Sequence, residues 1–311
     1  MTTATLTVRD FRTDVHNNWC PGCGDFGILT AIQSAFAQLQ IPPHKIAVLS
    51  GIGCSGKTPH YINAYGFHTL HGRVLPTATG MKIANNDMTV LAVGGDGDGY
   101  GIGAGYFINS GRRNLDFTYI VFNNGVYGLT KGQGAPTLRK GLKTKSMAEP
   151  AIQDGVNPLA LAIGAGYTFV ARGYALDPRH LSGLIVQALQ HPGSSFLDVL
   201  QTCPTYNDLY TKEWYAEKGG ENERLYKLDE TGYDGLVQDP SNADELVQKK
   251  LQAVAKSYEW GDRIPLGVYY KVEVPTYGQE IAERSPRYGQ EAVARMDHSK
   301  RDLSKLIESF R

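Results

Sequence analysis

The chain has 311 residues, of which 41% are hydrophobic and 20% charged, a length that suits one α/β domain with a sizeable appendage. Basic and acidic residues number 31 each and the isoelectric point is near 7.1, which disfavours a general binder of nucleic acid or anionic membranes. No apolar run approaches the roughly 18 residues of a membrane span, and the first twenty residues lack the apolar segment of a secretory signal. We therefore expect a cytoplasmic protein that binds neither nucleic acid nor membrane.

Apolar periodicity predicts alternating helices and strands over the first 200 residues. The predicted helices cover residues 26–39, with Asp25 as the cap, and then 75–84, 102–112, 150–165 and 177–190. The predicted strands cover residues 46–49, 89–93, 117–122, 167–171 and 195–200. Alternation of this kind, with unbroken apolar strands, is typical of a parallel sheet covered by helices on both faces.

Beyond Cys203 the pattern becomes less regular. Residues 204–240 are rich in Tyr, Gly and charge, one amphipathic helix is predicted over 242–256, and 262–311 show no clear period. We therefore divide the chain into an α/β domain of residues 1–205 and an irregular, partly helical extension of residues 206–311. The extension is expected to pack on the domain or on a partner rather than to form a second core.

Two predicted strands end in residues suited to a metal-bound anion. Gly95-Asp96-Gly97 follows one strand, and Asn123-Asn124-Gly125 follows the next. Right-handed crossovers would bring both ends to the same edge of the sheet. A carboxylate, an amide oxygen and a main-chain carbonyl suit Mg²⁺, while glycines and the N-terminus of a helix near residue 102 suit a phosphate. The pattern predicts a metal-bridged diphosphate.

Two other interpretations of these loops remain open. Asn-Gly pairs and Asp-Gly repeats are commonly no more than turns. Gly99-Tyr-Gly-Ile-Gly-Ala104 also fits the Gly-x-Gly-x-x-Ala pattern of dinucleotide-binding proteins. That pattern expects an acidic residue about twenty positions further on, where Asn123 and Asn124 stand instead.

The four cysteines all fall in predicted loops. Cys20-Pro-Gly-Cys23 precedes the first helix, Cys54 lies in the glycine-rich loop after the first strand, and Cys203 follows the strand that ends near Leu200. They are too few for a disulfide scaffold. Four thiolates can hold Zn²⁺ or an iron–sulfur cluster, Cys20 and Cys23 alone could form a redox dithiol, and spacing does not separate these possibilities.

Several of these motifs resemble a known enzyme family. Gly95-Asp96-Gly97 followed by Asn123-Asn124 resembles the metal-binding motif of thiamine diphosphate enzymes. Together with further motifs it is similar to the β subunit of the 2-oxoacid:ferredoxin oxidoreductases, most of all the archaeal two-subunit type, over about residues 14–210. The further motifs are Trp19-Cys-Pro-Gly-Cys-Gly24, Gly51-Ile-Gly-Cys-Ser-Gly56, His68-Thr-Leu-His-Gly-Arg73 and Asn123-Asn-Gly-Val-Tyr-Gly-Leu-Thr-Lys-Gly-Gln133.

The resemblance implies a set of cofactor ligands. Mg²⁺ would be bound by Asp96, Asn124 and the main-chain carbonyl of Val126. One [4Fe-4S] cluster would be ligated by Cys20, Cys23, Cys54 and Cys203. The expected contacts to thiamine diphosphate are Ile52, Gly53, Cys54, Ser55, His71, Gly97, Asp98, Asn124, Gly128 and Leu129.

Three further side chains are candidate catalytic residues. Lys57 and Lys131 follow cofactor loops and could meet the substrate carboxylate or the phosphates of coenzyme A. His71 could hydrogen-bond near the thiazolium ring or the substrate carbonyl. Each of the three could equally be an ordinary surface lysine or a structural histidine.

The implied activity is the oxidative decarboxylation of 2-oxoacids such as pyruvate, 2-oxobutyrate and 2-oxoglutarate with coenzyme A, giving acyl-CoA, CO₂ and reduced ferredoxin. A separate α subunit would supply a glutamate and much of the substrate pocket, so the enzyme would be a heterodimer or a dimer of heterodimers. The sequence lacks a ferredoxin-type cysteine run, which implies one internal cluster and an external carrier. The alternatives are an indolepyruvate-type enzyme and a zinc-stabilised scaffold without catalysis.

Overall fold

The fold is organised around one large sheet in the computed structural model, which describes residues 5–297, 299 and 302–310. The strands are β1 (Ile46–Ser50), β2 (Tyr65–His68), β3 (Thr89–Gly95), β4 (Phe117–Asn123), β5 (Val126–Tyr127), β6 (Gln133–Gly134), β7 (Phe169–Tyr174), β8 (Ser194–Leu200), β9 (Lys218–Gly219), β10 (Asn222–Glu223), β11 (Leu225–Lys227) and β12 (Ile264–Lys271). Eight of them form the sheet in the order β11-β12-β7-β8-β4-β3-β1-β2. The pairs β5–β6 and β9–β10 form two small ribbons.

Six strands of the sheet, from β7 to β2, run parallel. Every residue of β1, β4, β7 and β8 is buried, as expected when helices cover both faces of a parallel sheet. Strands β3 and β4 are neighbours, with Gly95 opposite Phe122. The predicted fold class is therefore confirmed, and the loops after β3 and β4 begin side by side.

Helices cover the two faces of this sheet. They are α1 (Asp25–Leu39), α2 (Val74–Ala84), α3 (Ala104–Arg113), α4 (Pro158–Ala165), α5 (Pro178–Gln190), α6 (Lys212–Ala216), α7 (Ala243–Ser257), α8 (Tyr277–Arg284), α9 (Pro286–Gln290) and α10 (Ser304–Glu308). One core joins α1 and α5 to the sheet. A second core on the other face joins α2, α3, α4 and α7. Within the described residues, no helix is both long and apolar enough to cross a membrane.

Three predicted helix starts differ from the structure for reasons that its contacts explain. Asp25 is the first residue of α1 rather than its cap, because its buried side chain accepts a hydrogen bond from Gln201 instead of capping. Helix α4 begins at Pro158 and not at 150, since the Asn157 side chain caps it by accepting from the Ala160 amide. Helix α3 begins at residue 104, after one π-helical turn at Gly97–Ile102.

The C-terminal extension contains more regular structure than its sequence pattern indicates. Strand β12 pairs antiparallel with β7, and β11 pairs parallel with β12. The amphipathic helix is present as α7 and packs against the sheet. The extension therefore widens the sheet of the first domain at one edge.

Candidate functional site

A cavity of about 310 Å³ lies at the carboxyl ends of the parallel strands. The loops after β1, β3, β4 and β8 form its wall, as expected for a ligand site in an open α/β sheet. The lining residues are Ile52, Gly53, Cys54, Ser55, His71, Gly95, Asp96, Gly97, Asp98, Phe122, Asn124, Val126, Tyr127, Gly128, Leu129, Thr130 and Gln201. Every residue predicted to contact the thiamine cofactor or Mg²⁺ is in this set.

Asp96 connects the loop after β3 to the loop after β4. Its carboxylate is 1% exposed, and Oδ2 accepts hydrogen bonds from the Gly125 amide at 3.0 Å and the Thr137 hydroxyl at 2.5 Å. Burial raises the pKa of Asp96 to about 7, although these two hydrogen bonds act in the opposite direction. A bound cation would favour the ionised form of such a buried carboxyl.

Asn124 has hydrogen bonds on both ends of its side-chain amide. Oδ1 accepts from the Val126 amide at 3.0 Å, and Nδ2 donates to Gln201 Oε1 at 2.9 Å. Asp96, Asn124 and Val126 all line the cavity. Carboxylate, amide and carbonyl oxygens fit Mg²⁺, so the donors present suit that ion.

Glycines bring the main chain close to the cavity. A Cβ on Gly97 would lie 2.1 Å from the Tyr127 ring, and one on Gly51 would lie 2.0 Å from Asp98 Oδ2. Neither position can carry a side chain without displacing a neighbour. The close packing leaves peptide groups in the cavity wall, where they can approach an anion.

Asp98 joins three loops of the cavity wall. Its Oδ1 accepts hydrogen bonds from the amides of Ile52 at 2.9 Å and Gly72 at 2.8 Å. His71 Nδ1 lies 3.0 Å from the same oxygen, and the His71 side chain is 37% exposed. Burial raises the pKa of the Asp98 carboxyl. Asp98 therefore holds the wall together, and the His71 ring lies beside it.

The structure brings the cysteines together beside this cavity. A Cβ on Gly128 would lie 3.5 Å from Cys54 Sγ and 3.7 Å from Cys203 Sγ, and Cys23 Sγ accepts from Gln201 Nε2 at 3.3 Å. Cys20 is close enough for its charge to affect Cys54 and Cys203. All four are free thiols. We call these four residues the thiol group.

The thiol group has the ligand chemistry that an iron–sulfur cluster uses. No three His, Cys, Asp or Glu side chains in the described part of the chain converge closely enough to hold one metal ion. A four-iron cluster spreads its thiolate ligands farther apart than one tetrahedral Zn²⁺ does. Burial raises the pKa of Cys54 to about 11, and a bound cationic centre would favour the thiolate instead.

Asp25 and Gln201 belong to the site but were missed by the sequence analysis as site residues. Asp25 is fully buried, its Oδ1 accepts from Gln201 Nε2 at 2.5 Å, and its Oδ2 has no hydrogen-bond partner among the described residues. Burial raises the pKa of Asp25 to about 7. The available signal for Gln201 was its position directly after β8, two residues before Cys203.

The two candidate lysines lie outside the cavity lining. Lys57 is half-buried, and its charge acts on Asp25 and Cys54, which puts it beside the thiol group. Lys131 is exposed between β5 and β6, with a positive φ of 81°. Its neighbour Thr130 lines the cavity, so Lys131 stands at the rim.

Comparisons with known proteins agree with this geometry. The family described as "Thiamine pyrophosphate enzyme, C-terminal TPP binding domain" matches residues 51–199, and the C-terminal family of the pyruvate ferredoxin oxidoreductase beta subunit matches residues 203–285. The 2-oxoacid:ferredoxin oxidoreductase subunit beta of Saccharolobus solfataricus is 55% identical over 276 residues, which cover 88% of each chain. Subunit beta of enzyme 1 from Aeropyrum pernix is 53% identical, over 92% of this chain and 87% of its own.

A solved structure is similar over the whole chain. It is the 2-oxoglutarate:ferredoxin oxidoreductase from Magnetococcus marinus with 2-oxoglutarate, coenzyme A and succinyl-CoA bound. The TM-score is 0.85 at 33% sequence identity, with 100% of this chain and 98% of the other covered. The predicted resemblance is thus confirmed at the level of sequence and of fold: the chain belongs to the family of 2-oxoacid:ferredoxin oxidoreductase β subunits.

Proposed function

We propose that this chain is the catalytic β subunit of an enzyme that oxidatively decarboxylates 2-oxoacids with coenzyme A, giving acyl-CoA, CO₂ and reduced ferredoxin. The observation that carries the proposal is the shared wall between two sites. Cys54 and Gly128 line the cavity that holds Asp96 and Asn124, and Gly128 also lies against the thiol group. The names of the relatives support 2-oxoacids as the substrate class, with pyruvate, 2-oxobutyrate and 2-oxoglutarate as candidates.

In this proposal the cavity holds thiamine diphosphate and Mg²⁺. Asp96, Asn124 and the Val126 carbonyl bind the metal, and Ile52, Gly97 and the other lining residues enclose the cofactor. Thiamine diphosphate, when bound, supplies the electron sink that decarboxylation of a 2-oxoacid requires. Gly97 would let the main chain approach the diphosphate, and His71 lies beside Asp98 at the cavity wall. His71 is thereby available to hydrogen-bond the cofactor or the substrate carbonyl.

Cys20, Cys23, Cys54 and Cys203 would hold one [4Fe-4S] cluster. A bound cluster supplies a one-electron acceptor. Because Cys54 belongs both to the cavity wall and to the thiol group, the two cofactors would lie close together. Lys57 adds a positive charge beside Cys54, which favours the thiolate.

The rest of the active site would come from a partner. An α subunit would complete the substrate pocket in a cytoplasmic heterodimer or dimer of heterodimers, and residues 206–311 would pack as an extension on the first domain or on that subunit. Lys131, exposed at the rim of the cavity, would meet the substrate or coenzyme A. Ferredoxin would accept the electrons.

Anaerobic co-purification with the α subunit tests the proposal. The complex should be brown and contain about four irons per β chain, and it should reduce an acceptor dye with coenzyme A and one of the three 2-oxoacids. Indolepyruvate is included to identify an indolepyruvate-type enzyme. Finding one zinc and no iron, with no thiamine binding, would instead indicate a zinc-stabilised scaffold.

A further inference from the structure

A second cavity, of about 350 Å³, opens beside the first at the same edge of the sheet. Its walls come from β4, β7 and β8, the loop before α4, and the loop between α7 and β12. Residues that matter for its chemistry are Thr137, Arg139, Lys140, Asp154, Arg172 and Trp260. None of these residues belongs to the proposed catalytic machinery.

Arg172 is a buried cation with an unused donor. Its side chain is 3% exposed, and Nε donates to Asp198 Oδ2 at 3.0 Å. Nη1 is buried and has no hydrogen-bond partner among the described residues. The other Asp198 oxygen already accepts from Asn123 Nδ2 at 2.9 Å. A buried guanidinium nitrogen without a partner is costly, and this donor is open to an acceptor from outside the chain.

Two more cations stand at the mouth of this cavity. Arg139 and Lys140 are exposed lining residues, and the Arg139 guanidinium lies 4.9 Å from the centre of the Trp260 ring. The Arg172 guanidinium lies 5.6 Å from the same ring. Burial and the charge of Arg172 both lower the pKa of Arg139. The guanidinium groups of Arg139 and Arg172 therefore both lie near the Trp260 ring, and their positive charges repel each other.

The charge of this cavity is unbalanced. Against Arg139, Lys140 and Arg172, the described lining contains one acidic residue, Asp154, which is exposed. Asp198, which is ion-paired with Arg172 Nε, offsets part of the Arg172 charge. Guanidinium groups match phosphate and carboxylate oxygens by charge-assisted hydrogen bonds. The volume is within the range of small-molecule sites.

We propose that this cavity binds a small molecule bearing a phosphate or carboxylate group, held by Arg172 Nη1 with Arg139 and Lys140. The proposal is independent of the function proposed above. Thr137 also lines this cavity, and its hydroxyl contacts both Asp96 Oδ2 and Asn123 Oδ1. An anion bound here would therefore lie near Asp96, the candidate Mg²⁺ ligand, with the Thr137 side chain between them.

Calorimetry on the complete α–β complex, saturated with thiamine diphosphate and Mg²⁺, tests this inference. Saturation blocks the first cavity, and inorganic phosphate and malonate are the two probes. We expect one site per β chain for the preferred probe, and the preference between the probes identifies the anion as a phosphate or a carboxylate. The double variant R139Q/K140Q should bind that probe at least about tenfold more weakly, because it loses two charge-assisted donors.

The control is Arg9→Gln, which removes an exposed arginine outside this cavity and should bind like the wild type. Arg139 and Lys140 are surface residues, so the double variant should keep its fold, which circular dichroism checks. The proposal is overturned if neither probe binds the wild type. It is equally overturned if R139Q/K140Q and R9Q bind with the same affinity.

Discussion

Gln201 Oε1 accepts a hydrogen bond from Asn124 Nδ2 over 2.9 Å. The Nε2 atom of the same glutamine donates to Asp25 Oδ1 at 2.5 Å and to Cys23 Sγ at 3.3 Å. One buried side chain thus connects the candidate Mg²⁺ ligand to the thiol group. It also fixes the direction of the Asn124 amide, because only Nδ2 can donate to Gln201.

Replacing Gln201 should affect both cofactors at once. In Gln201→Leu, Asn124 Nδ2 and the Asp25 carboxyl lose a partner, and buried unpaired groups of this kind cost roughly 1–3 kcal/mol. We expect Mg²⁺-dependent affinity for thiamine diphosphate to fall about tenfold and the reduction potential of the iron–sulfur centre to shift. Calorimetry and an EPR-monitored redox titration measure the two effects. Gln187→Leu, at an exposed position of α5, is the control, and a change in only one property would refute the link.

Asp96 allows stability and cofactor binding to be separated. Because folding raises its pKa to about 7, this carboxyl favours the unfolded chain increasingly as the pH rises from about 4 to 7. Asp96→Asn should therefore leave the cofactor-free protein at least as stable as the wild type at pH 7. Mg²⁺-dependent binding of thiamine diphosphate should nevertheless fall by more than about 100-fold, since the metal loses its charged ligand. Thermal unfolding and calorimetry test the two halves, and unchanged affinity would remove Asp96 from the metal site.

Gly97 should not tolerate even a methyl group. The added Cβ would lie 2.1 Å from the Tyr127 ring, so Gly97→Ala must push that ring within the cavity that both residues line. We expect at least about tenfold weaker binding of thiamine diphosphate, on the scale of a roughly 1–3 kcal/mol overpacking cost. Gly105→Ala is the matched control, because nothing lies within 4 Å of its Cβ. Equal affinities in the two variants would show that the cavity adapts.

Lys131 should influence substrate preference. Its charge at the rim favours a second carboxylate, as in 2-oxoglutarate, while the methyl group of pyruvate gains nothing from it. Lys131→Ala keeps an L-residue at the positive φ of 81°, so the backbone strain at this position is similar in the variant and the wild type. We expect KM to rise several-fold more for 2-oxoglutarate than for pyruvate in steady-state assays of the complex. Parallel changes would mean that Lys131 contacts a group common to both reactions, such as coenzyme A, or lies outside the pocket.

His191 should make the fold sensitive to acid. Burial lowers its pKa to about 4, and its ring accepts or donates one hydrogen bond with the Thr168 hydroxyl at 2.8 Å. In the unfolded chain this histidine takes up a proton at about pH 6.5, whereas in the folded chain it does so only at about pH 4. Stability is therefore lost as the pH falls between these two values. Between about pH 7 and 5, His191 should cost the wild type roughly 1–2 kcal/mol of its free energy of unfolding. His191→Gln should not show this loss. Denaturant unfolding of the cofactor-free chain measures it, with exposed His44→Gln expected to match the wild type.

The sequence was informative where local chemistry and topology act together. The apolar runs of β3 and β4 indicated adjacent parallel strands whose polar ends meet, and in the structure Asp96 and Asn124 line one cavity. Strand β12 escaped detection because Pro265 and Gly267, with a φ of 124°, interrupt its pattern.

Other features depend on contacts between distant segments. The role of Gln201 depends on α1 and the β4 loop, which lie 176 and 77 residues away in sequence. Strand β2 is short and fully exposed at the sheet edge, so it has no alternating burial pattern to read. Neither feature could have been predicted from local periodicity.

Gly128 lines the cavity and also lies against the thiol group. A methyl group added at this position would be in ordinary contact with the sulfurs of Cys54 and Cys203. A bulky side chain there would have to point toward the sulfurs or push the loop into the cavity. Either change would move the cavity wall away from the thiol group. Under the proposed function, valine or leucine at this position would lengthen the path between the two cofactors and slow electron transfer more than alanine would.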